Sequence, residues 1–464
     1  MNDDLSYASL VELGLLLRAG EITSVALTEH FLDRLETHGP TLNAVVTVTR
    51  ERALREARQA DEERAEGIDR GPLHGIPYGA KDLLATIDYP TTWGAEPFRY
   101  QQFDHDADVV TRLREAGAVL IGKLAMVELA GGLGYEQPNA ALTGPGRSAW
   151  NPDRWAGGSS SGSGSAVAAG LVPFAIGTET WGSIHCPSSF NGITGLRPTP
   201  GRVSRGGAMA LSWTMDKIGP MARSAADCAL VLREIAGAMP GDSTTLGQPN
   251  PTHDARRGGF RLGLLKGSIA ASAPGVGDNT TTAIDALREI GTVEEIELPD
   301  LPWDDAASII IMCEAASAFE SFLERGDGLK LTAPEDRTGL YHALAVPAID
   351  YLKAMRLRSH GATEMAKVLA GFDALVAPAY PVAPPPAVGN FEAYFDKHPG
   401  VGLSAMGNLL GLPSIAVPTG LDDDGLPSSL EILSTWWSEP TAVAIAAAYQ
   451  ARTPWHTAIP PLFA

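Results

Sequence analysis

Cysteines and long apolar runs are both scarce in this chain of 464 residues. The three cysteines, Cys186, Cys228 and Cys313, are too few and too widely separated for a disulfide framework or a zinc site. The most apolar stretch, residues 166–176, is shorter than a membrane span and is interrupted by a glycine and a proline. The first residues are acidic, where a secretory signal would be basic. We therefore expect a cytoplasmic protein with free thiols and no membrane segment.

Basic residues are also in short supply, since 35 lysines and arginines face 55 aspartates and glutamates and give a net charge of −20. A surface this acidic repels phosphate backbones and anionic membranes, and no basic run reverses the charge locally. The ten histidines are dispersed and show no metal-ligand spacing. We therefore expect neither nucleic acid nor a membrane as a partner, and no bound metal.

Apolar, strand-like runs alternate with helical patterns along most of the chain, after two helices predicted within residues 5–37. Candidate strands lie at 44–48, 76–80, 119–122, 174–178, 262–265, 374–377 and 415–417, and candidate helices lie near 107–116, 162–170, 224–237, 280–289 and 440–452. This alternation predicts an α/β architecture with a largely covered sheet. The polar segment 240–259 could mark a domain boundary, but the strand pattern resumes after it. We therefore expect one domain over residues 1–464.

A tract of glycines and serines, residues 157–165, is the most informative segment. It runs directly into a small-residue helix and an apolar strand, which argues against a flexible linker. A nucleotide-binding loop would need a lysine after its last glycine, and Gly164 is followed by serine and alanine. The spacing of Gly158, Ser160 and Gly162 fits a serine-hydrolase elbow, although residues 151–154 would make a poor preceding strand. The elbow stays open as an alternative.

A second cluster, Gly177-Thr-Glu-Thr-Trp-Gly-Ser-Ile184, follows the tract, and an apolar segment that ends in Lys81 precedes it. Together they resemble the amidase-signature family, in which a Gly-Gly-Ser-Ser tract and a later Gly-Ser-Ile place two key serines 24 residues apart. Ser159 and Ser183 have that separation here. Further matches follow in the family's order, at 116–123, 195–199, 219–224, 411–414 and 425–427.

The resemblance implies a single large domain in which helices cover both faces of a mixed, twisted central sheet. It also implies an N-terminal helical segment over about residues 1–40 and a core that carries the family motifs over about 70–225. By the same resemblance, the pocket that binds substrate is formed by Met126, Leu129, Ala130 and Gly131. No metal or organic cofactor is implied.

The same resemblance implies that Ser183 is the nucleophile, Ser159 a proton relay preceded by a cis peptide bond, and Lys81 the base. A serine hydroxyl needs a neighbouring base, and no histidine stands in a context that would supply one. A lysine in an apolar strand can act as base, because burial disfavours its charged form. The backbone N–H groups of Thr180, Trp181, Gly182 and Ser183 would form the oxyanion hole.

Three residues of the second cluster depart from the family pattern. Glu179 stands in place of the usual aspartate, His185 in place of arginine, and Trp181 in place of glycine. The N–H of Trp181 remains available as a donor if its φ is negative. We expect the indole to narrow the acyl pocket, while Met209 and Trp213 either extend that pocket or pack in the core.

These residues predict a hydrolase of an amide-type C–N bond, whether in an amide, an anilide or a carbamate, with a small molecule as substrate. One alternative is a carbamate or ester hydrolase that uses the same site. A second alternative is the glutamine-hydrolysing subunit of a tRNA-dependent amidotransferase, and a third is a non-catalytic binding protein. A homodimer is left open.

Overall fold

One mixed sheet of eleven strands organises the computed structural model, which describes residues 3–132, 138–245, 254–389 and 391–464. The strands are β1 (Val45–Val48), β2 (Pro77–Lys81), β3 (Val119–Leu124), β4 (Phe174–Glu179), β5 (Thr194–Arg197), β6 (Lys217–Ala222), β7 (Phe260–Leu265), β8 (Gly291–Ile296), β9 (Ala374–Pro378), β10 (Ser414–Leu421) and β11 (Pro427–Leu433). Their order in the sheet is β1-β3-β2-β4-β6-β5-β10-β11-β9-β7-β8. A single sheet confirms the predicted α/β fold in one large domain.

Fourteen α-helices accompany the sheet in the described part of the chain. They are α1 (Leu10–Ala19), α2 (Ser24–Leu42), α3 (Arg50–Ala65), α4 (Asp108–Glu115), α5 (Ser161–Ala168), α6 (His185–Asn191), α7 (Ala225–Ile235), α8 (Pro274–Arg288), α9 (Trp303–Ala318), α10 (Glu320–Glu324), α11 (Ala348–Leu369), α12 (Glu392–Phe395), α13 (Ser404–Leu410) and α14 (Glu439–Gln450). All seven predicted strands are present close to the expected bounds, as are all seven predicted helices, of which α1 and α2 are the two expected near the N-terminus; α8 begins earlier than expected, at Pro274.

The strands around the catalytic candidates are covered on both faces. Every residue of β2, β3 and β6 is buried, although successive side chains point to opposite sides of a sheet. β8, at the sheet edge, has no fully buried residue. In the ranges that the structure describes, no helix is long and apolar enough to cross a membrane.

Strand pairing brings the two segments that matter for function together. β2 pairs in parallel with β3 on one side and with β4 on the other, through Gly79 with Ala175 and Ala80 with Ile176. Parallel neighbours end at the same edge of a sheet, so Lys81 at the end of β2 lies near the end of β4. The turn that contains Ser183 begins directly after β4.

Candidate active site

The Lys81 side chain is fully buried at the end of β2. Its Nζ donates a hydrogen bond to Ser159 Oγ at 2.7 Å and another to Thr178 Oγ1 at 2.9 Å. Burial lowers the pKa of Lys81 to about 7, although the carboxylates of Asp216 and Glu179 act in the opposite direction. A substantial fraction of the amine is therefore uncharged near neutral pH, and an uncharged amine can accept a proton.

Ser159 lies between this amine and the segment that carries Ser183. The Gly158–Ser159 peptide bond is cis, as the resemblance implies, and the Ser159 side chain is fully buried. The Ser160 N–H donates to the carbonyl oxygen of Ser183 at 3.4 Å, which joins the two serine segments. Ser183 is 6% exposed and lines a cavity. The structure thus brings the lysine and both serine segments together.

Ser160 is committed to the backbone of β4, which argues against the elbow alternative. Its Oγ donates to the carbonyl oxygen of Thr178 at 3.2 Å, and the side chain is fully buried. In the described segment 138–160 before it, no regular strand forms that could end in an elbow. Ser160 also makes no side-chain cap on α5.

The turn Thr180–Ser183 lies where the resemblance places the oxyanion hole. Gly182 has a φ of +91°, a conformation that favours glycine, and a Cβ there would lie 2.3 Å from the Tyr380 hydroxyl oxygen. Trp181 is not among the described residues with positive φ, so its N–H keeps an ordinary backbone geometry. The carbonyl oxygen of Gly182 accepts from Cys186 N at 2.7 Å and fixes the turn on α6.

A buried carboxylate supports this turn from behind. Glu179 Oε2 accepts from the N–H of Ile184 at 2.8 Å and of His185 at 3.0 Å, and Oε1 accepts from Arg197 Nη1 at 2.7 Å. Burial acts to raise the pKa of Glu179, but His185 and Arg197 outweigh it and hold the pKa well below its usual range. His185 Nδ1 lies 3.1 Å from Glu179 Oε1, and its Nε2 lies 3.1 Å from Ser414 Oγ. Glu179 and His185, which both depart from the family pattern, are therefore in contact with each other.

Thr180, the first residue of the turn, is held by two residues that the sequence did not single out. Its hydroxyl donates to Asp216 Oδ1 at 2.6 Å, and its carbonyl oxygen accepts from Lys217 Nζ at 3.1 Å. Lys217 Nζ also donates to Asn408 Oδ1 at 2.7 Å. The available signal was two charged residues at the start of an otherwise apolar run, directly before the matched segment 219–224.

Ser183 opens into a cavity of about 390 Å³. Its lining residues are Ala130, Gly131, Gly132, Thr180, Trp181, Ser183, Leu211, Ser308, Ile311, Met312, Gly339, Leu340 and Tyr380. Two of the four residues predicted for the pocket, Ala130 and Gly131, are on this lining. Trp181 is on it as well.

The other two predicted pocket residues do not line this cavity. Met126 and Leu129 are fully buried in the main hydrophobic core and line neither this cavity nor its neighbour. The chain turns sharply here, with φ of +46° at Leu129 and +58° at Ala130, so adjacent side chains point in different directions. Met209 and Trp213 line the neighbouring cavity of about 280 Å³, which shares Ala130, Thr180 and Leu211 with the first.

One carboxylate connects two walls of the Ser183 cavity. Glu128 precedes the wall formed by residues 130–132. It accepts hydrogen bonds from Thr332 N at 2.9 Å and Ala333 N at 3.4 Å, and this segment leads to Gly339 and Leu340, which also line the cavity. Burial raises the pKa of Glu128 to about 7, although the hydrogen bonds from Thr332 and Ala333 act in the opposite direction.

Removing this carboxylate is expected to loosen both walls. Glu128→Ala removes the acceptor of the exposed Thr332 and leaves the buried N–H of Ala333 unpaired, so we expect the free energy of unfolding to fall by about 1–3 kcal/mol and KM to rise. Glu128→Gln keeps the shape and one acceptor oxygen, so it is expected to lose less of both. Denaturant titration and steady-state kinetics measure the two effects, and equal stability and KM in Glu128→Ala and the parent would contradict this role.

Comparison with known proteins places these residues in a family. The sequence model of the Amidase family matches residues 26–443. The chain is 36% identical to a glutamyl-tRNA(Gln) amidotransferase subunit of Methylococcus capsulatus, over 97% of this chain and 98% of the relative. This relative favours the alternative of an amidotransferase component over the free-standing hydrolase that the sequence analysis put first.

Solved structures add a second kind of relative. Native peptide amidase from Stenotrophomonas maltophilia superposes with a TM-score of 0.87 at 33% identity, covering 97% of this chain and 98% of that one. The corresponding glutamyl-tRNA(Gln) amidotransferase subunit from Thermotoga maritima gives 0.81 at 26% identity, covering 98% and 96%. With the family model matched along most of its length, the chain belongs to the amidase-signature family of enzymes that act on C–N bonds.

Proposed function

We propose that this enzyme hydrolyses the C–N bond of a small, uncharged amide through an acyl-enzyme on Ser183, with Ser159 as relay and Lys81 as base. The observation that carries the proposal is the Lys81 amine, which is fully buried and 2.7 Å from Ser159 Oγ. Among the described residues, no carboxylate lies within ion-pair distance of it. An amine in this environment is suited to accept a proton and not to balance a charge.

The reaction proceeds in two halves. Ser183 Oγ attacks the carbonyl carbon, its proton passes to Ser159, and the Ser159 proton passes to Lys81, while the N–H groups of the turn bind the new oxyanion. Breaking the C–N bond returns the proton through Ser159 to the departing amine. Water then attacks the carbonyl carbon of the acyl-enzyme, its proton follows the same route through Ser159, and the acid is released.

The cavity lining supports an uncharged acyl group. Among its described residues, none carries a charged side chain, and Trp181, Leu211, Ile311, Met312 and Leu340 supply apolar surface. A charged substrate would lose hydration on entry without gaining a partner. An amide, an anilide or a carbamate with an apolar acyl side fits this lining, and an ester passes through a similar tetrahedral intermediate.

Glutamine is the second candidate substrate, and the names of the curated relatives favour it. An enzyme of that kind would pass ammonia to a protein partner instead of releasing it. Free glutamine, however, carries both a carboxylate and an ammonium group, and the described lining offers a counter-charge to neither. The cavity lining therefore favours an uncharged acyl group, whereas the names of the relatives favour glutamine. Both substrates would react by the same acyl-enzyme chemistry.

A hydrolysis screen separates these candidates. Glutamine, an apolar primary amide, an anilide, a carbamate and an ester are compared at equal concentration, with Ser183→Ala as the blank. We expect the apolar amide to give the highest kcat/KM and glutamine to be a poor substrate. Glutamine turnover above that of the apolar amide, together with co-purification of a second protein, would instead establish the function of an amidotransferase component.

Trp181 is expected to set the size of the acyl group that the enzyme accepts. Trp181→Ala removes an apolar wall of the cavity but keeps the backbone N–H, so kcat for the best small amide should change little while KM rises about 10- to 100-fold. Bulkier aryl amides should gain in kcat/KM. Trp181→Phe is the matched control, and its KM and kcat/KM values should lie between those of Trp181→Ala and those of the parent. An unchanged order of substrates in Trp181→Ala would contradict a role of the indole in selectivity.

A further inference from the structure

The carbonyl group of Thr180 faces a buried amine that the reaction itself does not use. Lys217 is 2% exposed, and its Nζ donates to the carbonyl oxygen of Thr180 at 3.1 Å and to Asn408 Oδ1 at 2.7 Å. Both acceptors are neutral oxygens, one of a carbonyl group and one of an amide side chain. Within the part of the chain that the structure describes, Lys217 makes no ion pair. Lysine is rarely buried without a charged partner. This position therefore calls for an explanation beyond packing.

The peptide group that receives this bond also supplies an oxyanion-hole donor. The carbonyl of Thr180 and the N–H of Trp181 belong to one planar, resonance-coupled unit. A hydrogen bond donated into the carbonyl draws electron density from the nitrogen, which makes the N–H a stronger donor, as in any chain of hydrogen bonds. The effect reaches the oxyanion without any contact between Lys217 and the substrate.

The orientation of this peptide group is fixed as well. The Thr180 hydroxyl donates to Asp216, the residue before Lys217, at 2.6 Å, so consecutive residues at the start of β6 hold both the side chain and the carbonyl of Thr180. Asp216 is itself held by the N–H groups of Leu211 at 2.8 Å and Ser212 at 2.9 Å. The Thr180–Trp181 peptide therefore cannot rotate away from the site without breaking buried hydrogen bonds.

We propose that Lys217 is a positioning residue of the oxyanion hole, which orients the Thr180–Trp181 peptide and strengthens the Trp181 N–H as a donor to the oxyanion. The inference rests on the proposed function, because it needs a tetrahedral intermediate on Ser183. It predicts that Lys217 stabilises the transition state and contributes little to binding of the substrate before reaction.

Two substitutions test this role. Lys217→Met keeps the length and apolar stem without a donor, and Lys217→Gln keeps a neutral donor. For each, kcat and KM are measured with the best apolar amide, together with the inhibition constant of a trifluoromethyl ketone that has the same acyl group and forms a tetrahedral adduct on serine. In Lys217→Met we expect kcat and ketone affinity to fall by the same factor, about 10- to 100-fold. This is less than the loss expected when one oxyanion-hole donor is removed entirely. KM should stay within about twofold, and Lys217→Gln should recover part of the loss.

Stability effects are separated by a remote control. Asp227→Asn changes a buried group that accepts from Leu10 N at 3.0 Å, far along the chain from the turn, and should lower Tm with no change in ketone affinity. Unchanged ketone affinity in Lys217→Met, whether or not KM rises, would overturn the inference while leaving the proposed function intact. If Lys217→Met fails to fold, Lys217→Gln decides by the same criterion. Turnover by Ser183→Ala would refute the proposed function itself.

Discussion

Replacing Ser183 by alanine is expected to lower kcat for the best amide by about four to six orders of magnitude while the protein keeps its fold. The residue supplies the atom that forms the acyl-enzyme, and loss of a serine nucleophile has effects of this size in other hydrolases. Ser183 is only 6% exposed and lines the cavity, so removal of one oxygen should disturb the packing little. Initial rates with purified protein, and circular dichroism for the fold, measure the two quantities.

Two other serines serve as matched controls for this change. Ser163→Ala removes a fully buried hydroxyl of α5 that donates to the carbonyl oxygen of Ile176 at 3.3 Å, and should retain activity with a small loss of stability. Ser160→Ala tests the elbow alternative, because that mechanism would lose its nucleophile. Full turnover in Ser183→Ala would contradict the assignment of Ser183. Loss of turnover in Ser160→Ala but not in Ser183→Ala would contradict it as well.

Loss of the Lys81 amine is expected to have the second largest effect. Lys81→Met keeps the apolar stem in the buried strand but removes the proton acceptor, so kcat should fall by about 10³-fold or more. Lys81→Arg retains a cation that does not release its proton, and it should be equally inactive. Activity in Lys81→Arg near that of the parent would exclude the role of base.

The pH profile provides an independent test of the same residue. The base must be uncharged, and burial lowers the pKa of Lys81 to about 7. As pH rises through that value, the free enzyme loses the proton from Lys81, so kcat/KM should increase across roughly pH 6–8 and then level off. A profile that is flat over this range, or one that falls, would contradict a neutral lysine as base.

Apolar patterns were sufficient to predict much of the sheet. β4 and β9 are buried along almost their whole length and therefore appear in the sequence as short apolar runs, residues 174–176 and 374–377. β8 was not predicted because this edge strand contains exposed glutamates and has no continuous apolar run. β6 was not predicted, although it combines apolar residues with a lysine, a glycine and a proline as β2 does.

The family resemblance singled out the lysine and both serines, but it gave no indication of the residues that contact the segments around them. Lys217 contacts Thr180 across 37 positions and Asn408 across 191, and Glu128 contacts Thr332 across 204. Such contacts follow from strand order and helix packing, which local patterns do not encode. Only two of the four predicted pocket residues line the Ser183 cavity for a related reason: the family pattern gave the segment around Leu129, but the positive φ there decides which side chains face the cavity.

The most direct test of the account is the rate at which a fluorophosphonate labels the protein, followed from pH 6 to 9 with the modified peptide identified by mass spectrometry. We expect a single adduct on Ser183, a labelling rate that rises with the deprotonation of a group of pKa about 7, and slow, pH-independent labelling in Lys81→Met. An adduct on another serine, or equal labelling of the parent and Lys81→Met, would contradict the proton route from Ser183 through Ser159 to Lys81.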